Sequence, residues 1–213
     1  DGLAPRCAPF TKFTVTYNVN SGGGTAPATQ QQSGPNASIT LSSAYAGTRT
    51  GFTLSGWNTQ ANGLGTNYAA GATITPSANL ILYARWTSTI TYDGNTNTGG
   101  STPGATTAVS SAASTILASN SGTLVKAGAS DTTGYVFSGW NTAADGSGSN
   151  FAAGLTTYTS TGNRTLYAQW NSTITYNANG ATSGTVPASQ TVIGATPTTL
   201  QTNSGTLAIT NGV

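Results

Sequence analysis

Four aspartates, two lysines and four tryptophans are the residues of this 213-residue sequence whose chemistry could reach beyond the fold. The acids are Asp1, Asp93, Asp131 and Asp145, and both glutamate and histidine are absent. Without histidine there is no imidazole base for a nucleophilic triad and no His-liganded metal. A two-carboxylate hydrolase would need two of these scattered acids to converge. Lys12 and Lys126 have no acid with an evident role beside them, and no Gly-rich phosphate loop is followed by a lysine. The expectation is a protein that is not an enzyme, with no cofactor and no metal.

Three weaker signals each have a plainer reading. The stretch Asn141–Gly148, NTAADGSG, has the look of a calcium loop, but calcium usually takes more than one carboxylate and only Asp145 is charged here. A tight Asx/Gly hairpin turn fits better. The tryptophans could stack on sugars, yet Trp57 and Trp140 each follow a glycine within a strand pattern, and Trp86 and Trp170 close repeating stretches. Those positions suit a core and the seam between units. Asn36, Asn163 and Asn171 begin N-glycosylation sequons, which arise by chance in a chain this rich in Asn, Ser and Thr.

Charged residues make up 5% of the chain, against about 25% in ordinary soluble proteins. The net charge of +2 is too small and dispersed to steer nucleic acid or an anionic membrane, so no nucleic acid partner is expected. No apolar run is long enough for a transmembrane segment. Cys7 is the single cysteine and leaves no disulfide within the chain. Aliphatic residues are scarce enough to raise the question of disorder. That reading also requires high net charge, and the recurring Trp and Tyr positions look like anchors of small cores.

Those anchors repeat. Trp57 and Trp86 recur as Trp140 and Trp170, and Tyr17 recurs as Tyr92 and Tyr176. SNSGTL at 119–124 is echoed by TNSGTL at 202–207. The repeats predict an N-terminal extension at 1–12, modules at 13–86 and 87–170, and the opening half of a third at 171–213. KFTVTYNV, STITYD, STITYN, NLILYARW and RTLYAQW alternate apolar with polar residues, as half-buried strands do. Asn/Gly clusters such as NSGGG, NANG and DGSG mark the turns. Residues 106–119 are the best helical candidate and read equally well as strand or loop. The expected structural core is Trp57, Trp86, Trp140, Trp170, Tyr17, Tyr92, Tyr176, Tyr83 and Tyr167, with Gly56 and Gly139 in the tryptophan strands.

The pattern Gly51-Phe52-x-x-Ser55-Gly56-Trp57-Asn58-Thr59, then Gly63-x-Gly65-Thr66-x-Tyr68, then Leu82-Tyr83-Ala84-x-Trp86 resembles the Listeria–Bacteroides repeat, or internalin B-repeat. Gly134-Tyr135, Gly139-Trp140-Asn141-Thr142, Phe151 and Leu166-Tyr167-Ala168-Gln169-Trp170 carry it again. The resemblance implies a mainly β fold of small β-grasp-like modules in an elongated tandem array. It also implies an extracellular or cell-surface location and a role as a stalk or adhesive spacer. The long, nearly charge-free middle segments depart from the family pattern and favour a more purely β module.

Two explanations compete for the half-written third unit. Either the chain is a piece of a longer array, or a neighbouring subunit completes the unit. In the second case the segment LAPRCAPFTKFTVTY would add a strand to an exposed edge, and head-to-tail copies would build a filament. Two function classes follow: a structural stalk or subunit of an extracellular fibre that self-associates, or an adhesin module that binds a host or matrix ligand, protein or carbohydrate. No groove of divergent aromatic or charged residues stands out in the sequence, which favours the structural class.

Overall fold

A computed structural model describes residues 10–110, 114–128, 134–194 and 197–210. Cys7, Asp1, Asp131 and most of the 1–12 extension lie outside the described residues. Twelve β-strands and no helix occur among the described residues, so the fold is mainly β, as expected. Of the helical candidate at 106–119, residues Thr106–Val109 form a strand and 111–113 lie outside the described residues.

The chain divides into two compact units. The first holds residues 1–89 with the segments 107–115 and 157–163. Its strands are β1 (Thr14–Asn18), β2 (Gln30–Gln31), β3 (Ile39–Thr40), β4 (Thr53–Asn58), β5 (Asn67–Tyr68), β6 (Thr73–Ile74), β7 (Leu80–Asp93) up to Thr89, and most of β8 (Thr106–Val109). β1 lies antiparallel to β2 and parallel to β7, and β4 lies antiparallel to β7 and β5. β3 and β6 pair separately. The parallel β1–β7 pair needs a long crossover, and the Ser/Thr/Ala-rich middle of the repeat supplies it. Residues 157–163 belong to this unit through a Ser160–Ser88 hydroxyl contact of 2.6 Å and the Asn163 N–H on the Gly51 carbonyl at 2.7 Å.

The second unit holds residues 90–106, 116–156 and 164–213. It takes β7 from Ile90 onward, then β9 (Val136–Asn141), β10 (Asn150–Phe151), β11 (Arg164–Ile174) and β12 (Gln190–Ile193). The end of β7 runs parallel to β11, β9 lies antiparallel to β11 and β10, and β12 lies antiparallel to β11. The topology of the first repeat is thus written a second time.

The expected strands at the repeat seams are longer than the sequence pattern suggested. β7 fuses the closing strand of one repeat with the opening strand of the next. Its inward side chains are Leu82, Ala84, Trp86, Ser88, Ile90 and Tyr92. The alternation stays in phase across the seam, so nothing in the side-chain pattern breaks the strand. β11 does the same, from Leu166 through Trp170 to Ile174.

A bulge explains the Ser-Gly-Trp-Asn sequence. Between Leu54↔Trp86 and Trp57↔Ala84, Ser55 and Gly56 face Arg85 alone. An extra residue bends and twists the strand. Gly56, Trp57 and Asn58 then all become buried in succession. Gly56 has φ +128, and a Cβ there would stand 2.4 Å from the Tyr68 carbonyl oxygen. Gly139 repeats the geometry at φ +139, 2.6 Å from the Phe151 carbonyl oxygen.

Candidate functional site

The repeated feature of both units is an aromatic clamp on one peptide residue. In the first repeat, alternation along β1 turns Val15 and Tyr17 inward. The Tyr17 hydroxyl donates to Gln30 Oε1 and accepts the Ser42 N–H at 2.9 Å. The Trp57 indole N–H donates to the Ser42 carbonyl at 3.0 Å. Both backbone polar groups of Ser42 are thus satisfied by ring side chains, and the two rings pack 4.5 Å apart. The second repeat substitutes Tyr92, Thr106, Ala118 and Trp140. There the Ala118 N–H reaches the Tyr92 hydroxyl at 2.8 Å, the Trp140 indole N–H reaches the Ala118 carbonyl at 2.8 Å, and the rings lie 4.7 Å apart.

The closing tryptophans act at the other end of each module. Trp86 donates to the Val19 carbonyl at 3.1 Å, and Trp170 donates to the Asn95 carbonyl at 3.0 Å. All four tryptophans are buried, so no indole face is open for a sugar to stack on. Tyr17 and Tyr92 are buried with them, whereas Tyr83, Tyr167 and Tyr176 are half-buried. Burial raises the Tyr17 phenol above its ordinary pKa, opposed in part by the hydrogen bond from Ser42. Burial raises Tyr45 as well.

Several core residues were invisible to repeat alignment. Tyr45 fills the first module against Trp57 and Trp86, at 5.8 and 6.1 Å. Tyr45 does so from the segment between β3 and β4, whereas in the second module Phe137 does this from β9, at 5.1 Å from Trp140 and 5.9 Å from Trp170. The two are not at equivalent positions, so no recurrence announces them. Asn58 and Asn141 do recur in the sequence, directly after the tryptophans, and both are fully buried. The Asn58 amide donates to Asn67 Oδ1 and to the carbonyls of Gly63 and Gly65, while its oxygen accepts the N–H groups of Gln60 and Gly65. Asn141 holds Gly146, Gly148, Asn150 and Ala143 in the same way. One carboxamide therefore organises each Gly-rich loop.

That arrangement accounts for the calcium-like stretch. Asp145 accepts both the N–H and the hydroxyl of Ser147, which lower its pKa, and this closes an Asx turn. No group of three metal-ligating side chains occurs among the described residues. No helix among them is long and apolar enough to cross a membrane, a statement that leaves strands aside. Arg49 and Lys126 lie over the rings of Phe52 and Tyr135, at 4.6 and 4.9 Å, a cation–π contact repeated in each module.

Fold and clamp together define a tandem-repeat β protein whose recurring residues are committed to holding each module together. The Listeria-Bacteroides repeat domain matches residues 13–85 and 89–169, and the chain belongs to that family. It is 34% identical over 143 residues to a protein of Evansella cellulosilytica described as a "Putative Gly-rich membrane protein", covering 62% of this chain and 16% of that one. A second protein of the same organism, a "Putative membrane protein", is 37% identical over 99 residues, covering 45% of this chain and 14% of the relative. The chain therefore spans a small part of each relative's length. No solved structure gives a significant match.

Proposed function

We propose that this chain is a structural repeat segment of the bacterial cell surface, acting as a stalk or as a subunit of an extracellular fibre. The observation that carries the reading is the clamp: two repeats spend their recurring aromatic and amide side chains on the same internal hydrogen bonds. Modules joined in series give reach. The family and the membrane descriptions of the two relatives support the surface location. Self-association by strand complementation, head to tail, would turn such a segment into a fibre.

Electron microscopy of the purified chain across a concentration series tests this. Filaments that lengthen with concentration support the fibre form, and concentration-independent short rods support the stalk form. Featureless globules would sink both. The second reading, an adhesin module, draws on Leu64, which stands 66% exposed in the loop built around Asn58. Saturable binding to host matrix protein or carbohydrate, lost in Leu64→Ser, would favour it.

A further inference from the structure

The bulges of the two complete repeats differ in one residue that matters. On β11, Gln169 faces Ser138 and Gly139 of β9, as Arg85 of β7 faces Ser55 and Gly56 of β4. The serine is used alike in both. Ser55 Oγ donates to the Arg85 carbonyl at 3.0 Å, and Ser138 Oγ donates to the Gln169 carbonyl at 3.2 Å. The side chains opposite part company. The Arg85 guanidinium turns back across the bulge and donates to Ser55 Oγ at 3.0 Å. Its Nε is buried and has no hydrogen-bond partner. The first module thus lays a guanidinium over its own bulge and holds it on a hydroxyl.

Gln169 is shorter and turns toward the Gly-rich loop instead. Its amide donates to the Ala143 carbonyl at 3.4 Å and to the Ala168 carbonyl at 3.2 Å, and the residue is 3% exposed. A groove of about 310 Å³ stands beside the bulge, with Ser138, Gly139, Phe151, Asn171 and Ile193 among its walls. That volume lies at the small end of ligand sites and suits a single side chain. No charged side chain lines it. Two of its polar atoms have capacity to spare, and both are acceptors. Ser138 Oγ spends its proton on the Gln169 carbonyl and keeps its lone pairs. Asn171 Oδ1 is buried and has no hydrogen-bond partner, a costly state for an acceptor.

We infer that this groove binds the guanidinium of an arginine side chain carried by a partner polypeptide, in the manner in which the first module binds its own Arg85. The planar head donates to Ser138 Oγ and Asn171 Oδ1 together, which a rigid fork of five N–H groups does better than a compact ammonium. Phe151 supplies an aromatic wall for the cation, and Ile193, 54% exposed, supplies apolar surface for the stem. The groove needs no carboxylate for this, because Arg85 rests on a hydroxyl in the first module. The inference is independent of the stalk or fibre reading, since a site for one side chain asks nothing of filament growth.

The test titrates the full chain with N-acetyl-arginine amide and follows backbone amides by NMR. Saturable shifts are expected at Ser138, Gly139, Phe151 and Asn171. Gln169→Arg gives the second module the residue that the first one carries, so it should fill the groove and abolish the shifts. N-acetyl-citrulline amide, the neutral isostere, should bind at least about tenfold more weakly. The absence of saturable shifts at these residues would overturn the inference. Shifts that persist in a folded Gln169→Arg would overturn it by placing the arginine elsewhere. Equal binding of citrulline would overturn it by showing that the groove reads shape and not the cation. Should Gln169→Arg fail to fold, Asn171→Leu decides: binding at least about tenfold weaker is expected, and unchanged binding would sink the idea.

Discussion

Tyr17 and Trp57 grip opposite ends of the same residue, Ser42, one accepting its N–H and the other donating to its carbonyl, with their rings 4.5 Å apart. Tyr92 and Trp140 hold Ala118 identically. The clamped residue differs in side chain because only its backbone is read. Tyr and Trp suit the task because each has a large apolar body and a single polar tip.

Removing one polar tip should expose the clamp's energetic share. Trp140→Phe keeps most of the ring and leaves the Ala118 carbonyl without its donor. A loss of about 1–3 kcal/mol is expected. Trp140→Ala should cost more, about 3–5 kcal/mol, through the cavity it opens. Equilibrium urea unfolding of both variants checks the order. Equal losses would mean the indole N–H carries the whole effect and packing none.

Asn58→Ala should destabilise by about 2–4 kcal/mol, because several buried loop groups lose their partners at once. Asn58→Asp should do no better, since a carboxylate cannot donate to Gly63, Gly65 and Asn67. Chemical denaturation measures both, and a neutral Asp variant would show that the loop rebuilds itself around a different donor.

The bulge glycines allow a sharper test. Gly139→Ala forces a side chain into φ +139 and against the Phe151 carbonyl. The strain should cost about 1–3 kcal/mol. A melting temperature that does not fall would mean that the bulge relaxes. Gly104, whose added Cβ would meet nothing within 4 Å, is the control.

Stability should fall on the alkaline side. The folded-state pKa values of Tyr17 and Tyr45 are raised by burial, so the fold holds both phenols neutral. As pH rises through about 10 the unfolded chain releases these protons first and binds fewer than the native state. The contribution is therefore complete below that pH and is lost as pH climbs through the raised values. The urea midpoint should be level between about pH 7 and 9 and drop above about 10. Tyr17→Phe should shallow the drop, and an unchanged drop would assign it to other groups.

The strands were legible because their alternation of apolar and polar residues is a local property. β1, β7 and β11 sit where the pattern predicts. The recurrence of Gly-Trp-Asn also marked the two bulged strands, β4 and β9. What the pattern could not show was the fusion of strands across the seams, because a boundary drawn between repeats says nothing about whether the side-chain phase survives it. The role of Asn58 was equally hidden, since a polar residue after tryptophan reads as a turn until its amide is found pointing into its own loop.

Residue order alone determined the module, its aromatic positions, its strand period and the absence of imidazole chemistry. These depend on side-chain type and spacing, which the chain carries with it. Tertiary structure decided which backbone groups Tyr17 and Trp57 would hold, and that Tyr45, from the segment between β3 and β4, and Phe137, from β9, would fill one role. Those outcomes depend on which distant segments meet. Burial and hydrogen-bond satisfaction come into being only when the partners arrive.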